Sequence, residues 1–404
     1  ARLLQQLQLW LKGQEDVIDT TKTVGTTTTF DSAKINGLLS TGLINNVTNL
    51  ERAIFSLEYL GQLQKEGLDF VFKGGSAIQV ILRDKWTRLS VDSDICSNVS
   101  EKELTEIMGN IHQKFDKTAF SFKVRDRTIA GSIPFYLYIL EAPSIAVIGE
   151  TRSCLLDVMG IKPNYATTQV TLKTPFFDSD ITITTPTIGA LLGDKLSTIG
   201  PNTMGRHLLD SRNGVEYAKH FYDIKNLQED DFNFKDCRLA FHEAIEVQSK
   251  IRSKNLSVQE CCEDMFFTCK VASLPQTISE QLIAKLSEHP RARARSEFRI
   301  LRDGLARFRP FLVRGLTYSW DDLRYCAASA ALLTKMIQLE LSEEKIKTVF
   351  KANIPSKREE IKSVAAKITT IPEKDRWFIQ LDELVNFPRI LQAGHDYFFL
   401  EPAT

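Results

Sequence analysis

Between residues 68 and 95 the chain runs through an order that few folds accommodate. A short apolar stretch, Leu68-Asp69-Phe70-Val71-Phe72, leads into Lys73-Gly74-Gly75-Ser76. An apolar helical run from Ala77 to Leu82 follows, and then Val91-Asp92-Ser93-Asp94-Ile95. Paired glycines after a strand let the backbone turn sharply and aim main-chain N–H groups outward at a helix N-terminus, where an anion is favoured. In an extended chain residues two apart point to the same side. Asp92 and Asp94 are therefore expected to present two carboxylates to one point, about 6 to 7 Å apart along the strand. Hard oxygen donors of this kind suit Mg²⁺, with Mn²⁺ as an alternative, and such an ion is commonly completed by substrate phosphates. Alone, a Gly-Gly-Ser turn is usually just a tight turn and an Asp-x-Asp a solvated strand face. Their order carries the reading.

Around this core the pattern changes twice. From Asn45 to Glu66 the apolar positions Val47, Leu50, Ile54, Leu57, Leu60 and Leu63 recur at threes and fours, predicting an amphipathic helix. The preceding Thr21–Phe30 segment, rich in β-branched residues, predicts an irregular or extended connection. A helix near Glu101 to Phe115 is followed by strands expected at 119–129, 133–141, 153–159 and 181–184. From Pro186 onward the pattern is almost wholly helical, with starts near Pro186, Gly214, Asp231, Ser257, Ser279, Arg293, Trp320, Ser342 and Pro355. The fold class expected is α+β: an N-terminal extension over 1–44, a mixed-sheet α/β core over 45–185, and a helical domain over 186–404.

Composition removes several alternatives. Lys plus Arg and Asp plus Glu are both 51, so no net field draws in nucleic acid or an anionic membrane, and any attraction must be local. No apolar run approaches the roughly 20 residues that span a bilayer, and the first residues lack a signal-peptide pattern, so a cytoplasmic protein is expected. Seven cysteines without a C-x-x-C pair read as buried reduced thiols, and six scattered histidines contain no H-E-x-x-H.

A third acid on a neighbouring strand would complete a two-metal arrangement, and Asp157, within the apolar run Cys154-Leu155-Leu156-Asp157-Val158, is the candidate. With these residues in view, KGGSAIQVIL followed by RLSVDSDI resembles the first motif of the nucleotidyltransferase superfamily. The form is that of the AbiEii/AbiGii toxins, which include the MenT toxins. Leu191-Leu192-Gly193-Asp194-Lys195 is similar to that family's D-K pair, and Lys219-His220-Phe221-Tyr222-Asp223-Ile224 to its K-D-x-x-D-[LI] helix. The resemblance implies that Gly74, Gly75 and Ser76 hold the β and γ phosphates of a nucleoside triphosphate, and that Asp92 and Asp94 hold Mg²⁺. It further implies that Lys195 neutralises the triphosphate, and that Asp223 acts in the nucleotide pocket with Lys219 on the same helical face. His220 stands where the family usually has an acid.

One stretch falls outside the resemblance. From Arg291 to Arg314 there are eight arginines against Glu297 and Asp303, which would suit an RNA backbone if exposed and would be ordinary structure if paired. Phe298, Phe308 and Phe311 lie among them at helical spacing and are expected in the core. The function implied is a magnesium-dependent toxin that transfers a nucleoside monophosphate from a nucleoside triphosphate to an RNA acceptor, foremost the tRNA 3′ end, and is accompanied by a cognate antitoxin. The alternatives are a small-molecule or protein nucleotidyltransferase, or an inactive RNA- or protein-binding module. His220 favours the last.

Overall fold

The computed structural model describes residues 18–115, 120–313, 315–351, 354–379 and 386–401. They divide into two compact units, the first running to Pro186 and including Pro310–Leu316, the second comprising Thr187–Arg309 and the chain from Thr317.

The first unit is built on five strands, β1 (Val71–Lys73), β2 (Ser93–Cys96), β3 (Ser121–Ala130), β4 (Ile133–Pro143) and β5 (Thr151–Met159), in the order β1-β2-β5-β4-β3. Only β2 and β5 run parallel; the other neighbours are antiparallel, so the sheet is mixed. A separate hairpin pairs β6 (Thr167–Thr174) with β7 (Phe177–Pro186). The sequence predicts only part of β7 and misses β6, whose run Thr167-Thr168-Gln169 reads as loop. Its alternation shows only in Val170 and Leu172, which are buried. Residue 119, where β3 was expected to begin, lies outside the described residues, as does Arg314.

Helices α1 (Ser32–Ser40), α2 (Val47–Lys65), α3 (Gly74–Leu82) and α4 (Glu101–Lys114) belong to this unit. Asn46 caps α2 by accepting from the Asn49 amide, and the predicted stripe Leu50, Ile54, Leu57, Leu60 and Leu63 is buried. The helix is not amphipathic in the expected sense, because Glu51, Ser56, Glu58 and Gln62 are buried too. Its polar face ties down chain from elsewhere. Glu51 accepts from the Ser144 hydroxyl, the Ile145 and Ala146 amides and Arg152 Nε, and Glu58 accepts from the Val24 and Gly25 amides and from Gln62. Burial pushes the Glu58 carboxyl above the usual range despite these donors. The threonine-rich segment thus ends as a short 3₁₀ turn, Thr27–Phe30, held to Glu58 and to β7 through the Thr26 amide and the Asp178 carbonyl. Ile18, Ile35 and Ile44 are buried as well.

The second unit is helical: α5 (Ile188–Leu196), α6 (Asn213–Gln228), α7 (Phe234–Arg252), α8 (Val258–Ala272), α9 (Ser279–Ala284), α10 (Glu288–Ala306), α11 (Trp320–Gln338), α12 (Glu343–Lys351), α13 (Arg358–Thr369) and α14 (Pro388–Phe399). Helix α10 opens five residues before the expected Arg293, because Pro290 falls in its first turn, where a missing N–H leaves no bond unmade. Helices α5 and α7 meet closely at Gly193, where a Cβ would lie 2.1 Å from the Cys237 carbonyl oxygen. All seven cysteines are buried. Among the described residues no helix is long and apolar enough to cross a membrane.

Candidate functional site

The strand β1 ends at Lys73, and the chain enters α3 through Gly74 at φ +76°, a left-handed conformation that side chains resist. Space makes the same demand, since a Cβ on Gly74 would fall 1.9 Å from Asp94 Oδ2. The Asp94 carboxylate therefore lies against the glycine turn itself. Gly75 is equally confined, by Ser90 Oγ at 2.6 Å and Arg88 Nη2 at 2.7 Å from the position a Cβ would take.

Helix α3 is clipped to the segment leading into β2. Ser76 is fully buried and its hydroxyl donates to the Asp92 carbonyl oxygen at 2.5 Å, while Gln79 Oε1 accepts from the Ser90 amide at 3.1 Å. The Ser76 hydrogen bond fixes the turn to the acid-bearing strand.

The two acids of the Asp-x-Asp motif are used differently. Asp92 Oδ1 accepts from the Leu155 amide and from Arg52 Nη2, both at 3.1 Å. With Ser93 opposite Leu156, Leu155 is the residue level with Asp92 on β5, so this side chain extends the ladder sideways and lies toward its neighbour strand. Asp94 pairs in register with Asp157 across the parallel β2–β5 contact and with Lys73 across β1. Ser93, Ile95, Leu156 and Val158 form the buried face, with the Ser93 hydroxyl bonded to Ser56 on α2 at 2.5 Å; Asp94 and Asp157 occupy the other, half-buried face.

The sequence predicts three gathered acids, and the structure brings together two. Among the described residues no group of three His, Cys, Asp or Glu side chains is arranged to hold a metal. Asp92 is engaged through Oδ1 by Arg52 and the Leu155 amide, partners that lie 40 and 63 positions distant and leave no trace in the motif. Asp94 and Asp157 stand in register on adjacent strands, with Lys73 level with Asp94 on its other side. An all-oxygen donor pair that leaves most positions to water and phosphate fits Mg²⁺, which is commonly held by one or two carboxylates.

In the second unit, Lys195 Nζ on the last turn of α5 lies 3.2 Å from Asp223 Oδ2 on α6, with Lys195 8% and Asp223 1% exposed. Lys219, expected to share its helical face with Asp223, pairs one turn back with Glu216 at 2.9 Å. His220 packs its ring edge-on against Tyr217, with centroids 5.9 Å apart.

These motifs follow one another over residues 73–223, and the description "Nucleotidyl transferase AbiEii toxin, Type IV TA system" matches the chain over residues 59–260, half its length. The chain belongs to this family. No curated protein matches it. As an AbiEii protein it is a nucleotidyltransferase toxin of a type IV toxin–antitoxin system, and the matched span holds every residue discussed above except Arg52 and Ser56 on α2.

The arginine-rich stretch lies beyond the AbiEii match and divides in two. Arg293 is tied to Asp264 Oδ1 and Glu297 Oε1, each at 2.6 Å, and Arg291 donates to the Leu286 carbonyl. Burial pushes the Glu297 carboxyl up to about 7 even beside Arg293. Arg295, Arg299, Arg302, Arg307 and Arg309 are exposed. Arg295 pairs with Glu280, Arg302 with Asp303, and Arg307 donates to the Ser211 carbonyl. Phe298 and Phe308 are buried, as their spacing predicts, and Phe311 is half-buried.

Proposed function

We propose that the protein transfers a nucleoside monophosphate from a nucleoside triphosphate to an RNA acceptor, foremost the 3′ end of tRNA, with Mg²⁺ as cofactor. The observation that carries this reading is the Asp94 carboxylate lying against Gly74 with Asp157 beside it in register. The Gly74–Gly75 backbone would receive the β and γ phosphates at the start of α3. Asp94 and Asp157 would hold Mg²⁺, or Mn²⁺ in its place. The ion's chemistry there is to neutralise charge on the transferring phosphate and the departing pyrophosphate. Asp92 also has a positioning part: by taking the Leu155 amide it ties the middle of β5, two residues before Asp157, to the start of β2.

Catalysis by such a site is mostly orientation and charge compensation. The family resemblance implies triphosphate neutralisation for Lys195 and a part in the nucleotide pocket for Asp223, with which it forms an ion pair, and Lys219 lies on the same helix as Asp223. Of the five exposed arginines from Arg295 to Arg309, Arg295 and Arg302 pair with Glu280 and Asp303, and the positive charge left over supports a polyanionic acceptor over a small molecule. An antitoxin encoded with the toxin follows from the family.

Incubation with each labelled nucleoside triphosphate, Mg²⁺ and total RNA, resolved on a gel, tests the reading. Label is expected on a tRNA-sized band, absent with Asp94→Asn. Transfer to a small molecule or to protein, with none to RNA, rejects the acceptor; full activity of Asp94→Asn rejects the site.

A further inference from the structure

The row of residues that crosses the sheet at Asp94 does not end at the acids. In register it reads Lys73 on β1, Asp94 on β2, Asp157 on β5 and Leu137 on β4. Next to Asp157 on the same side of β5 is Leu155, whose partner across β4 is Ile139. Leu137, Ile139 and Leu155 are all half-buried, whereas Tyr138, Leu140 and Leu156, which alternate with them, are buried on the opposite face. An apolar strip therefore adjoins the acid pair on the side away from the glycine turn.

In a phosphoryl-group displacement the attacking oxygen and the leaving oxygen lie on opposite sides of the phosphorus. The geometry fixes which side is which. With the triphosphate tail at Gly74–Gly75, beside β1, the leaving pyrophosphate points that way, and the attacking hydroxyl must arrive over β5 and β4. Strands are about 4.8 Å apart, which puts Leu137 about 10 Å across the sheet from Asp94, the span of one nucleoside.

We infer that Leu137, Ile139 and Leu155 form the acceptor subsite, on which the 3′-terminal nucleoside of the RNA rests through an apolar face. This inference rests on the nucleotidyltransfer reading above. The terminal ribose hydroxyl forms a new bond to the α-phosphorus, and the bond to the oxygen bridging the α and β phosphates breaks. Pyrophosphate departs with that electron pair, and the hydroxyl proton leaves to solvent. The strip sets which 3′ end is accepted, because an apolar platform favours an unpaired terminal base that can lie flat and disfavours one held in a duplex.

The test is the steady-state kinetics of Leu137→Ala and Ile139→Ala with tRNA, alongside Ile129→Ala, a largely exposed position on edge strand β3. Each platform variant is expected to raise the KM for RNA about tenfold, with the KM for the nucleoside triphosphate and the urea midpoint unchanged; Ile129→Ala should change neither KM. A raised KM for the triphosphate alone, or unchanged KM values for both, overturns the subsite. If wild-type protein transfers label and Asp94→Asn does not, unchanged KM values in the platform variants sink this inference only. If wild-type protein labels no RNA, both fall.

Discussion

Two charged pairs hold the same family motifs by opposite means. Asp94 and Asp157 carry like charges on a half-buried sheet face, in register and against a glycine turn. Lys195 and Asp223 carry opposite charges and are nearly sealed from solvent on two packed helices. The first places two acceptors on a face that solvent reaches. The second encloses a cation beside an anion. A site that must bind and release is built from the first kind, while the second kind fixes a lysine whose long side chain would otherwise sample many rotamers.

Breaking the sealed pair should have the largest effect on stability. Lys195→Met removes the cation beside the buried Asp223 carboxylate, and a loss of about 3 to 5 kcal/mol is expected in urea unfolding. Lys195→Met with Asp223→Leu should recover most of that loss, since two apolar groups of similar size need no partner. If the double variant is no more stable than the single, the two residues are not energetically a pair.

The acid pair should behave in the reverse sense. Asp94→Asn is expected to lower transfer at least about a hundredfold. Its urea midpoint should change by no more than the equivalent of about 1 kcal/mol, because the side chain lies on a half-buried face and the replacement is nearly isosteric. Lost stability in this variant would mean that Asp94 is structural, and the contrast with Lys195 would disappear. The glycine turn sharpens the same point: Gly74→Ala meets both a left-handed φ and the Asp94 oxygen, so a loss of about 1 to 3 kcal/mol is expected together with reduced transfer. Activity retained in that variant would show that Asp94 can move without consequence.

How much of this was legible in the sequence follows from how local each cause is. The glycine turn is set by residues next to one another, and only glycine meets its backbone demand, so Gly74 could be read directly. Asp157 could be picked out because a carboxylate is conspicuous in an apolar strand. The partners of Asp92 could not be read, because Arg52 comes from α2 and the amide from β5, neither of which a two-residue spacing reports. Glu51 and Glu58 look like the solvent face of α2 and are buried, because the amides that satisfy them come from loops near residues 24 and 145. Strand β6 was missed for the opposite reason: its threonines carry strand propensity but too little apolar signal.

The smallest effect isolates burial as the cause of the contrast. Lys219 and Glu216 form an ion pair on the same helix that carries Asp223, at a closer 2.9 Å but with more solvent, their side chains being 14% and 33% exposed. If distance governed, Lys219→Met would cost more than Lys195→Met. Desolvation predicts otherwise, because Glu216 can turn to water once its partner is gone, whereas Asp223 cannot. Lys219→Met is therefore expected to change the urea midpoint by no more than the equivalent of about 0.5 kcal/mol, and its residual effect should shrink further as salt is raised. A loss matching that of Lys195→Met would make charge pairing itself, rather than enclosure, the property that separates the two motifs.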